Sequence, residues 1–455
     1  MNIETFNPFT ETLEKSFPEE SAEEVQAKID AAHQFFSEFR ETSIASRCDI
    51  LSNASQLLLK QKDELARLIT TEMGKPITEA LAEIEKCARV CDYYAKNAEQ
   101  FLANEQIDSD ATNSYVSYEP LGIILAIMPW NFPFWQVFRF AAPALAAGNV
   151  CLLKHSPNVP QCALAIEEIF TEAGLALGGF TTLLVGVDQV KAIIEHEHVM
   201  AVTLTGSERA GAEVASVAGK NVKKLVLELG GSDPFIVLKD ADLETAAEAA
   251  VFSRMLNAGQ SCIAAKRFIV VEEVYGPFVE LVVARIKALV VGDPMQPDTQ
   301  VGPMARMDLL EKLEDQVSRT VDLGATVLIG GNRVEGNGFF YCPTVLTDIN
   351  QEMPVFTEEV FGPVASSISA KDENEAIALA NNTQYGLGAS LWTGNLDRAE
   401  KLATQIQAGA VFINGMVKSD PRLPFGGIKR SGYGRELSQL GIREFVNAKT
   451  VWVSA

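Results

Sequence analysis

The sequence predicts an α/β protein built on parallel sheets whose two faces are covered by helices. Three observations support this fold class. Apolar runs alternate with helical patterns between residues 121 and 228, and the same alternation restarts at residue 234 and continues to residue 413. The runs are apolar at successive positions rather than at every second one, which is typical of strands buried on both faces. Two such stretches predict two α/β domains.

The chain begins with helices rather than with this alternation. Ser21 and Glu24 have the spacing of a capping box, and the pattern after them predicts a helix that ends at Phe39. Residues 43–73 predict one or two further helices closed by Gly74, and residues 80–101 continue helical.

In the first α/β stretch, the predicted strands are 121–128, 150–153, 180–185, 199–203 and 223–228, separated by helices at 138–147, 161–173, 190–195 and 209–217. In parallel sheets, functional loops follow the carboxyl ends of the strands. Five polar or glycine positions lie at such ends, namely Asn131, Lys154, Gly206, Ser207 and Glu228. The sequence therefore predicts a site along this edge.

In the second stretch, the predicted strands are 234–237, 267–271, 325–329, 364–368, 389–392 and 410–413, and the helices are 243–256, 274–290, 309–323, 373–381 and 396–405. Gly230 and Gly231 lie between the two stretches, and their conformational freedom suits a hinge. We therefore expect the boundary between the domains at residues 228–231.

Composition excludes several functions. The 60 acidic and 38 basic residues give a net charge of −22, which repels nucleic acid and anionic membrane surfaces. No run of about 18 apolar residues occurs and no charged-then-apolar leader opens the chain, so we expect a cytoplasmic protein. The seven scattered cysteines suit a reducing compartment, and the four histidines form no ligand pattern, so no metal site is predicted.

Two residues suggest covalent catalysis on a carbonyl group. Cys262 follows Gly-Gln-Ser at the end of a helical run, which places a thiol on a tight loop. Glu228 lies between two leucines, where burial of a carboxylate is costly unless the group has a partner or a role. A thiol nucleophile and a base are the groups that such catalysis requires.

Six motifs extend this interpretation. They are Pro129-Trp130-Asn131-Phe132-Pro133, Leu204-Thr205-Gly206-Ser207, Glu228-Leu229-Gly230-Gly231, Gly259-Gln260-Ser261-Cys262, Glu358-Glu359-Val360-Phe361-Gly362-Pro363 and Pro424-Phe425-Gly426-Gly427. In this order they resemble the nicotinamide-dependent aldehyde dehydrogenases, and within that superfamily most nearly the succinate-semialdehyde dehydrogenases. The resemblance runs almost from end to end.

The resemblance implies two Rossmann-like parallel α/β domains and a small β flap for oligomerisation. The cofactor-binding domain would comprise residues 1–110 and 125–228, the catalytic domain 229–435, and the flap 111–124 with 436–455. Residues 113–118 and 450–453 are β-prone and have no obvious partner strand in either domain. In the resembled family, such strands pair across subunits, so we expect a homodimer or homotetramer.

The resemblance also assigns the chemistry. Cys262 would attack an aldehyde, Asn131 would stabilise the oxyanion together with the Cys262 backbone N–H, and Glu228 would activate the water that hydrolyses the thioester. Burial should raise the pKa of Glu228 towards the working range. Pairing of Glu228 with Lys223 or Lys224 is the alternative. It is disfavoured, because the first faces the other side of the strand and the second lies about 13 Å along it.

For the cofactor, no Gly-x-Gly-x-x-Gly motif occurs. Instead, a helix that opens at Gly206 and Ser207 would present its amino end to a pyrophosphate. The resemblance adds further cofactor contacts at Trp130, Lys154, His155, Ser156, Pro157, Glu208, Leu229, Glu359 and Phe361. NAD-preferring relatives have a glutamate where this chain has Pro157. Without that carboxylate a 2′-phosphate can pair with Lys154, assisted by His155 or Ser156, so NADP is favoured and NAD is the alternative.

The substrate evidence depends on Arg139, which matches an arginine that binds the substrate carboxylate in succinate-semialdehyde enzymes. Ser419 could add a hydroxyl, and Trp135 would form a wall of the aldehyde tunnel. A second family arginine is Leu256 here, and a second cysteine that permits a blocking disulfide is Ala264. The first difference leaves a broad-specificity enzyme for aliphatic or aromatic aldehydes as an alternative. A non-enzymatic structural protein is the alternative of another class.

Overall fold

The computed structural model describes residues 2–454. The strands are β1 (Asn2–Phe6), β2 (Leu13–Pro18), β3 (Glu105–Gln106), β4 (Asn113–Pro120), β5 (Ile123–Met128), β6 (Val150–His155), β7 (Phe180–Thr182), β8 (Val199–Thr205), β9 (Lys224–Glu228), β10 (Asp233–Val237), β11 (Ala265–Val271), β12 (Thr326–Ile329), β13 (Thr344–Thr347), β14 (Val364–Ala370), β15 (Gly388–Trp392), β16 (Ala410–Ile413), β17 (Gly432–Tyr433) and β18 (Val446–Val453).

The helices are α1 (Ala22–Phe39), α2 (Ile44–Lys60), α3 (Lys62–Met73), α4 (Ile77–Phe101), α5 (Trp135–Ala146), α6 (Pro160–Glu172), α7 (Val187–Glu195), α8 (Glu208–Lys220), α9 (Leu243–Met255), α10 (Glu272–Lys287), α11 (Met307–Asp322), α12 (Pro354–Thr357), α13 (Glu373–Asn381), α14 (Leu396–Ala403) and α15 (Ser438–Glu444). Ser21 and Glu24 form the predicted capping box of α1, and Gly74 ends α3 in the left-handed conformation. None of the helices in residues 2–454 has the length and apolar composition needed to span a bilayer.

Two large sheets confirm the predicted α/β fold class. The first has the strand order β17-β9-β8-β5-β6-β7 and is parallel except for β17. The second has the order β12-β13-β14-β11-β10-β15-β16 and is parallel except for β12. The sequence patterns did not predict β13, β17 or the β1–β2 hairpin.

The continuous apolar runs have the predicted cause, because each face of the second sheet packs against a different core. Phe235 and Phe268 belong to one apolar cluster, whereas their neighbours Ile236 and Ile269 belong to the other. All four side chains are fully buried. A strand between two helical layers therefore needs apolar side chains at both odd and even positions.

The chain after residue 424 returns to the first sheet. Gly432 and Tyr433 form β17, which pairs antiparallel with Glu228 and Leu227 of β9. Shortly afterwards, Glu436 is bridged to Phe425 by backbone hydrogen bonds of 2.7 and 2.8 Å. The sequence analysis placed residues 432 and 433 in the catalytic domain, but they are part of the first sheet.

The two β-prone segments of the expected flap find a partner within the chain. β18 pairs with β4 along eight residues, and β3 lies on the other side of β4. The two segments therefore pair with each other and not with a strand of either large sheet, as expected of a separate flap. β18 is the outer strand, so its free edge remains unpaired within the described chain.

Candidate active site

The loop before Cys262 is held in an unusual conformation. Asn257, Ala258 and Gly259 all have left-handed backbone angles, with φ of 55°, 52° and 74°. A Cβ atom on Gly259 would lie 2.2 Å from the backbone oxygen of Gly362, so the position requires glycine. The resulting turn leaves the Cys262 side chain half-buried, where it lines two cavities.

Two buried cations hold this loop in place. Arg254 donates hydrogen bonds to the carbonyl oxygens of Gly259 and, at 2.8 Å, of Gly362. Lys266 donates to the carbonyl of Cys262 at 2.7 Å and to that of the preceding residue at 2.9 Å. Charged donors on backbone carbonyls are stronger than neutral ones, so they fix the position of the thiol. Sequence reasoning missed both roles, although both residues lie within eight positions of the cysteine.

Asn131 lies beside the same loop. Its side-chain N–H donates to the carbonyl oxygen of Gln260 at 3.0 Å, and the Asn257 side chain donates to the Asn131 carbonyl at 2.7 Å. One amide hydrogen of Asn131 is thereby used, which leaves the second for another acceptor. Asn131 and Cys262 line the same larger cavity, so the structure brings the predicted oxyanion donor to the predicted nucleophile.

Glu228 ends β9 in a buried position. Neither of its carboxylate oxygens has a hydrogen-bond partner within residues 2–454, and a Cβ atom on Gly426 would lie 2.8 Å from Oε1. Burial raises the pKa of Glu228 well above its usual range, and the charge of Glu436 raises it further, while Arg139 and Arg435 oppose both effects. The predicted direction of the shift is confirmed. Glu228 does not line either cavity of the described chain.

Burial also controls the nucleophile. It raises the pKa of the Cys262 thiol to about 12, although the positive charges of Arg139 and Lys266 oppose the shift. Glu359 and Asp233 add to it. The resting side chain is therefore a neutral thiol near pH 7, and it must lose its proton before or during attack on a carbonyl.

The larger cavity collects most of the predicted cofactor residues. The predicted cofactor residues that line it are Trp130, Gly206, Ser207, Leu229, Glu359 and Phe361. The predicted catalytic residues Asn131 and Cys262 line it as well. The rings of Trp130 and Phe361 meet edge to face, with centroids 5.9 Å apart. The carboxylate of Glu359 accepts a hydrogen bond of 3.0 Å from Gly231 and lies 3.7 Å from Lys266.

One end of this cavity is the amino terminus of α8. Ser207 caps the helix by accepting a 3.3 Å hydrogen bond from Ala210, and Gly206 donates to the carbonyl of Glu228 at 3.0 Å. Leu229 packs closely on α8, since a Cβ atom on Gly211 would lie 2.6 Å from its side chain. A helix terminus suits an anion, flat rings suit a planar group, and a carboxylate suits ribose hydroxyls. The cavity therefore fits a nicotinamide dinucleotide.

Five predicted cofactor residues lie outside the lining of this cavity, namely Lys154, His155, Ser156, Pro157 and Glu208. Lys154 is buried at the end of β6, which lowers its pKa, while the charge of Glu19 opposes that shift. Pro157 is exposed. Glu208, at the start of α8, forms an ion pair of 2.9 Å with Arg430.

The polar groups of His155 and Ser156, which could assist Lys154 in binding a 2′-phosphate, are already engaged within the protein. The Ser156 backbone N–H donates to Nδ1 at 2.8 Å, so Nε2 carries the proton and donates to the Pro133 carbonyl at 2.9 Å. Burial lowers the pKa of His155 to about 4, which keeps the ring neutral. The hydroxyl of Ser156 is also engaged, since it donates to the Asn158 side chain at 2.7 Å.

The smaller cavity contains all three predicted substrate residues, Trp135, Arg139 and Ser419. The guanidinium of Arg139, however, forms a buried ion pair with Glu436 and lies 4.6 Å from the centroid of the Phe425 ring. Arg139 therefore lies in the lining of the expected tunnel, but its charge is already balanced by a residue nearly 300 positions away.

Lys86 of α4 lines the same cavity and was missed by sequence reasoning. Its ammonium donates to the Ser419 hydroxyl at 2.7 Å and lies 4.0 Å from the centroid of the Trp135 ring. Nothing in the sequence near Lys86 distinguishes it from the other lysines of α4. Only the packing of α4 against the loop before Phe425 brings it to the site.

The chain matches the aldehyde dehydrogenase family over residues 1–451. It belongs to this family. This aldehyde dehydrogenase is 54% identical over 454 residues to a probable NADP-dependent succinate-semialdehyde dehydrogenase of Synechocystis, and each chain is covered completely. It is 51% identical over 457 residues to the NADP-dependent succinate-semialdehyde dehydrogenase 1 of Mycobacterium tuberculosis, again with complete coverage of both chains.

Solved structures agree with these similarities. The crystal structure of a succinic semialdehyde dehydrogenase from Streptococcus pyogenes in complex with NADP+ matches the aldehyde dehydrogenase with a TM-score of 0.97 and 38% identity. The match covers 99% of this chain and 100% of that one.

Proposed function

We propose that this aldehyde dehydrogenase oxidises succinate semialdehyde to succinate and reduces NADP, with NAD as the slower alternative. The observation that carries the proposal is the position of Cys262 between two different cavities. One has the helix terminus and rings that suit the dinucleotide, and the other has cationic side chains and a hydroxyl that suit a carboxylate. The names of the two relatives and the NADP+ complex support the same substrate and cofactor.

In the proposed mechanism, the sulfur of Cys262 adds to the aldehyde carbon as the thiol proton passes to solvent water. The carbonyl oxygen becomes an oxyanion, which accepts hydrogen bonds from the free amide hydrogen of Asn131 and from the Cys262 backbone. One such donor contributes about 3–4 kcal/mol in the transition state. The bound nicotinamide supplies a hydride acceptor for the hydrogen on that carbon. A thioester with Cys262 is then left in the site.

Hydrolysis of the thioester needs a base, and we propose Glu228. It removes a proton from water and the oxygen adds to the acyl carbon. The carbon–sulfur bond then breaks as the sulfur takes that proton back from Glu228, which returns the thiol and releases a carboxylic acid. A carboxyl group with a raised pKa is a better base than an ordinary one once it is ionised. Because Glu228 does not line either cavity, its side chain must rotate towards Cys262 in this step.

NADP preference is proposed on the chemistry at the end of β6. Lys154 has no carboxylate three positions later, since Pro157 occupies that place. A 2′-phosphate would therefore meet a cation without an adjacent anion from the same loop. We also propose the domain limits given above, except that residues 432 and 433 belong to the first sheet. We further propose a cytoplasmic location and a homodimer or homotetramer, for which the free edge of β18 offers a pairing surface.

The test is steady-state oxidation followed by the absorbance of the reduced nicotinamide. Cys262→Ser should lose at least about a thousandfold in kcat, whereas Cys342→Ser, which changes another half-buried thiol, should retain wild-type turnover. Glu228→Gln should release one equivalent of reduced cofactor per site and then stall. Steady turnover by Cys262→Ser would refute the nucleophile, and steady turnover by Glu228→Gln would refute the base.

A broad-specificity aldehyde dehydrogenase is the second candidate. The rings of Phe132, Trp135 and Phe425 line the smaller cavity, and so does the apolar Leu256. These walls suit an aliphatic or aromatic aldehyde. Comparison of succinate semialdehyde with butyraldehyde, which has the same chain length without the carboxylate, separates the two candidates. Equal kcat/KM values for the two aldehydes would favour broad specificity.

A further inference from the structure

We propose that Lys86, rather than Arg139 alone, supplies the positive charge that binds the carboxylate of the substrate, with the Ser419 hydroxyl orienting its ammonium. This assignment rests on the proposed function, because it names the group that selects an anionic aldehyde at the same site. It identifies a specificity residue on α4, a helix that contributes none of the six motifs.

The position of Lys86 fits this role. It lines the smaller cavity together with Cys262, so a molecule in that cavity can touch both the ammonium and the nucleophile. Ser419 accepts its hydrogen bond of 2.7 Å, and the face of Trp135 lies 4.0 Å away at its centroid. An ammonium has three N–H donors, so hydrogens remain for a carboxylate after Ser419 is served.

The charge balance distinguishes Lys86 from Arg139. Arg139 is paired with Glu436 inside the protein. Within residues 2–454, the contacts of the Lys86 ammonium are a hydroxyl and an aromatic face rather than a carboxylate. Glu83, one turn earlier on α4, is engaged elsewhere. It pairs with Lys75 and accepts hydrogen bonds of 2.9 Å from two backbone N–H groups at the start of α5.

A partly buried cation without a counter-ion is unfavourable unless an anion is bound beside it. Leu256 contributes an apolar wall to the same cavity, so no charge is added there. Lys418 also lines the cavity but is exposed to solvent, where its charge is screened. Lys86 is therefore the cation whose charge a bound carboxylate would balance.

Titration of Lys86 gives the proposal a second readout. Burial, followed by the charges of Arg139 and Arg89, lowers its pKa to about 8, while Cys87 and Glu83 oppose the shift. Protonated Lys86 is thus the dominant form below about pH 8 and is lost above it. The KM for an anionic aldehyde should rise through that range, whereas the KM for an uncharged aldehyde should not follow it.

The experiment compares Lys86→Met, Lys86→Arg and the control Lys96→Met, which changes an exposed lysine of the same helix. Each is assayed with succinate semialdehyde and with butyraldehyde as the full-length enzyme. Lys86→Met should lower the kcat/KM for succinate semialdehyde relative to that for butyraldehyde by about tenfold to a hundredfold, mainly through a higher KM. This is the range expected for the loss of about 1.5–3 kcal/mol from a charged hydrogen-bond partner. Lys86→Arg should keep the preference and remove the rise of KM above pH 8. Lys96→Met should match the wild type.

The outcomes are distinguishable. A wild-type preference for succinate semialdehyde that survives Lys86→Met intact overturns the role of Lys86 and leaves the proposed function standing. A wild type that shows no preference between the two aldehydes overturns the proposed function itself. Equal losses with both aldehydes in Lys86→Met would show a structural role for the side chain and would also overturn the proposal.

Discussion

The buried ion pair between Arg139 and Glu436 gives the sharpest stability prediction. The side chains are 2% and 4% exposed, so removal of the guanidinium leaves a carboxylate in the protein interior beside Glu228. Loss of one partner of a buried pair costs about 3–5 kcal/mol. Arg139→Met should therefore lower the free energy of unfolding by about that amount. The methionine retains much of the apolar volume of the arginine, which limits the contribution of a cavity.

An exposed ion pair provides the control. Arg306 and Asp308 lie 2.6 Å apart, but their side chains are 36% and 62% exposed, so Arg306→Met should cost about 0–1 kcal/mol. Urea unfolding would be measured for all variants at the same protein concentration, because the apparent stability of an oligomer changes with concentration. Variants would be compared with one another at the same pH. The double variant Arg139→Met/Glu436→Gln removes both charges and should recover about half of the loss or more.

The pH dependence of this loss has a definite sign. In Arg139→Met, the pKa of Glu436 is raised by burial with no cation to oppose it. A carboxyl group with a raised pKa in the folded state favours folding below its unfolded pKa and loses that contribution as pH rises. The deficit of the variant should therefore grow from about pH 5 to pH 8. If the loss of unfolding free energy in Arg139→Met stayed as small as that in Arg306→Met throughout this pH range, the reasoning would be refuted.

Two further predictions concern the nucleophile loop. Gly259→Ala should abolish most activity and destabilise the fold by more than about 2 kcal/mol, because the added Cβ would meet the Gly362 carbonyl. Gly276 lies at an open helical position and provides the control, so Gly276→Ala should stabilise the fold by about 0.5–1 kcal/mol. Equal thermal stability of the two variants would contradict the first of these effects. The second prediction concerns alkylation of Cys262 by iodoacetamide, measured without cofactor in a Cys342→Ser background. Its rate should rise about tenfold per pH unit from about pH 7 to pH 10, because the pKa of the thiol is about 12. A rate that reaches its plateau below pH 9 would show that the thiol is activated in the resting enzyme.

Local patterns in the sequence predicted the fold well, because they record what each strand packs against. Phe235 and Ile236 face different cores, and the continuous apolar run that contains them follows directly from this arrangement. Cys262 and Asn131 also lie on the short loops that the sequence predicted, since each loop follows a helix or strand that its own local pattern identifies. Such features depend on residues within about ten positions along the chain.

The electrostatic partners could not be predicted in the same way. Glu436 pairs with Arg139, and Lys86 meets Ser419 across 333 positions, and no spacing rule connects residues so far apart. His155 failed as a candidate for a related reason. Its ring nitrogen Nε2 is hydrogen-bonded to the Pro133 carbonyl. The loop that carries this carbonyl reaches the ring only when the chain folds. Charge balance at a site is a property of the assembled structure.

The return of the chain to the first sheet has a consequence for biosynthesis. Glu228 lies on β9, whose outer neighbour β17 begins only at Gly432, and the counter-ion of Arg139 follows at position 436. A ribosome makes these residues about 170 positions after Cys262. A nascent chain can thus carry its nucleophile while the surroundings of its base are still unfinished, so a polypeptide stalled before Gly432 should hold no working enzyme.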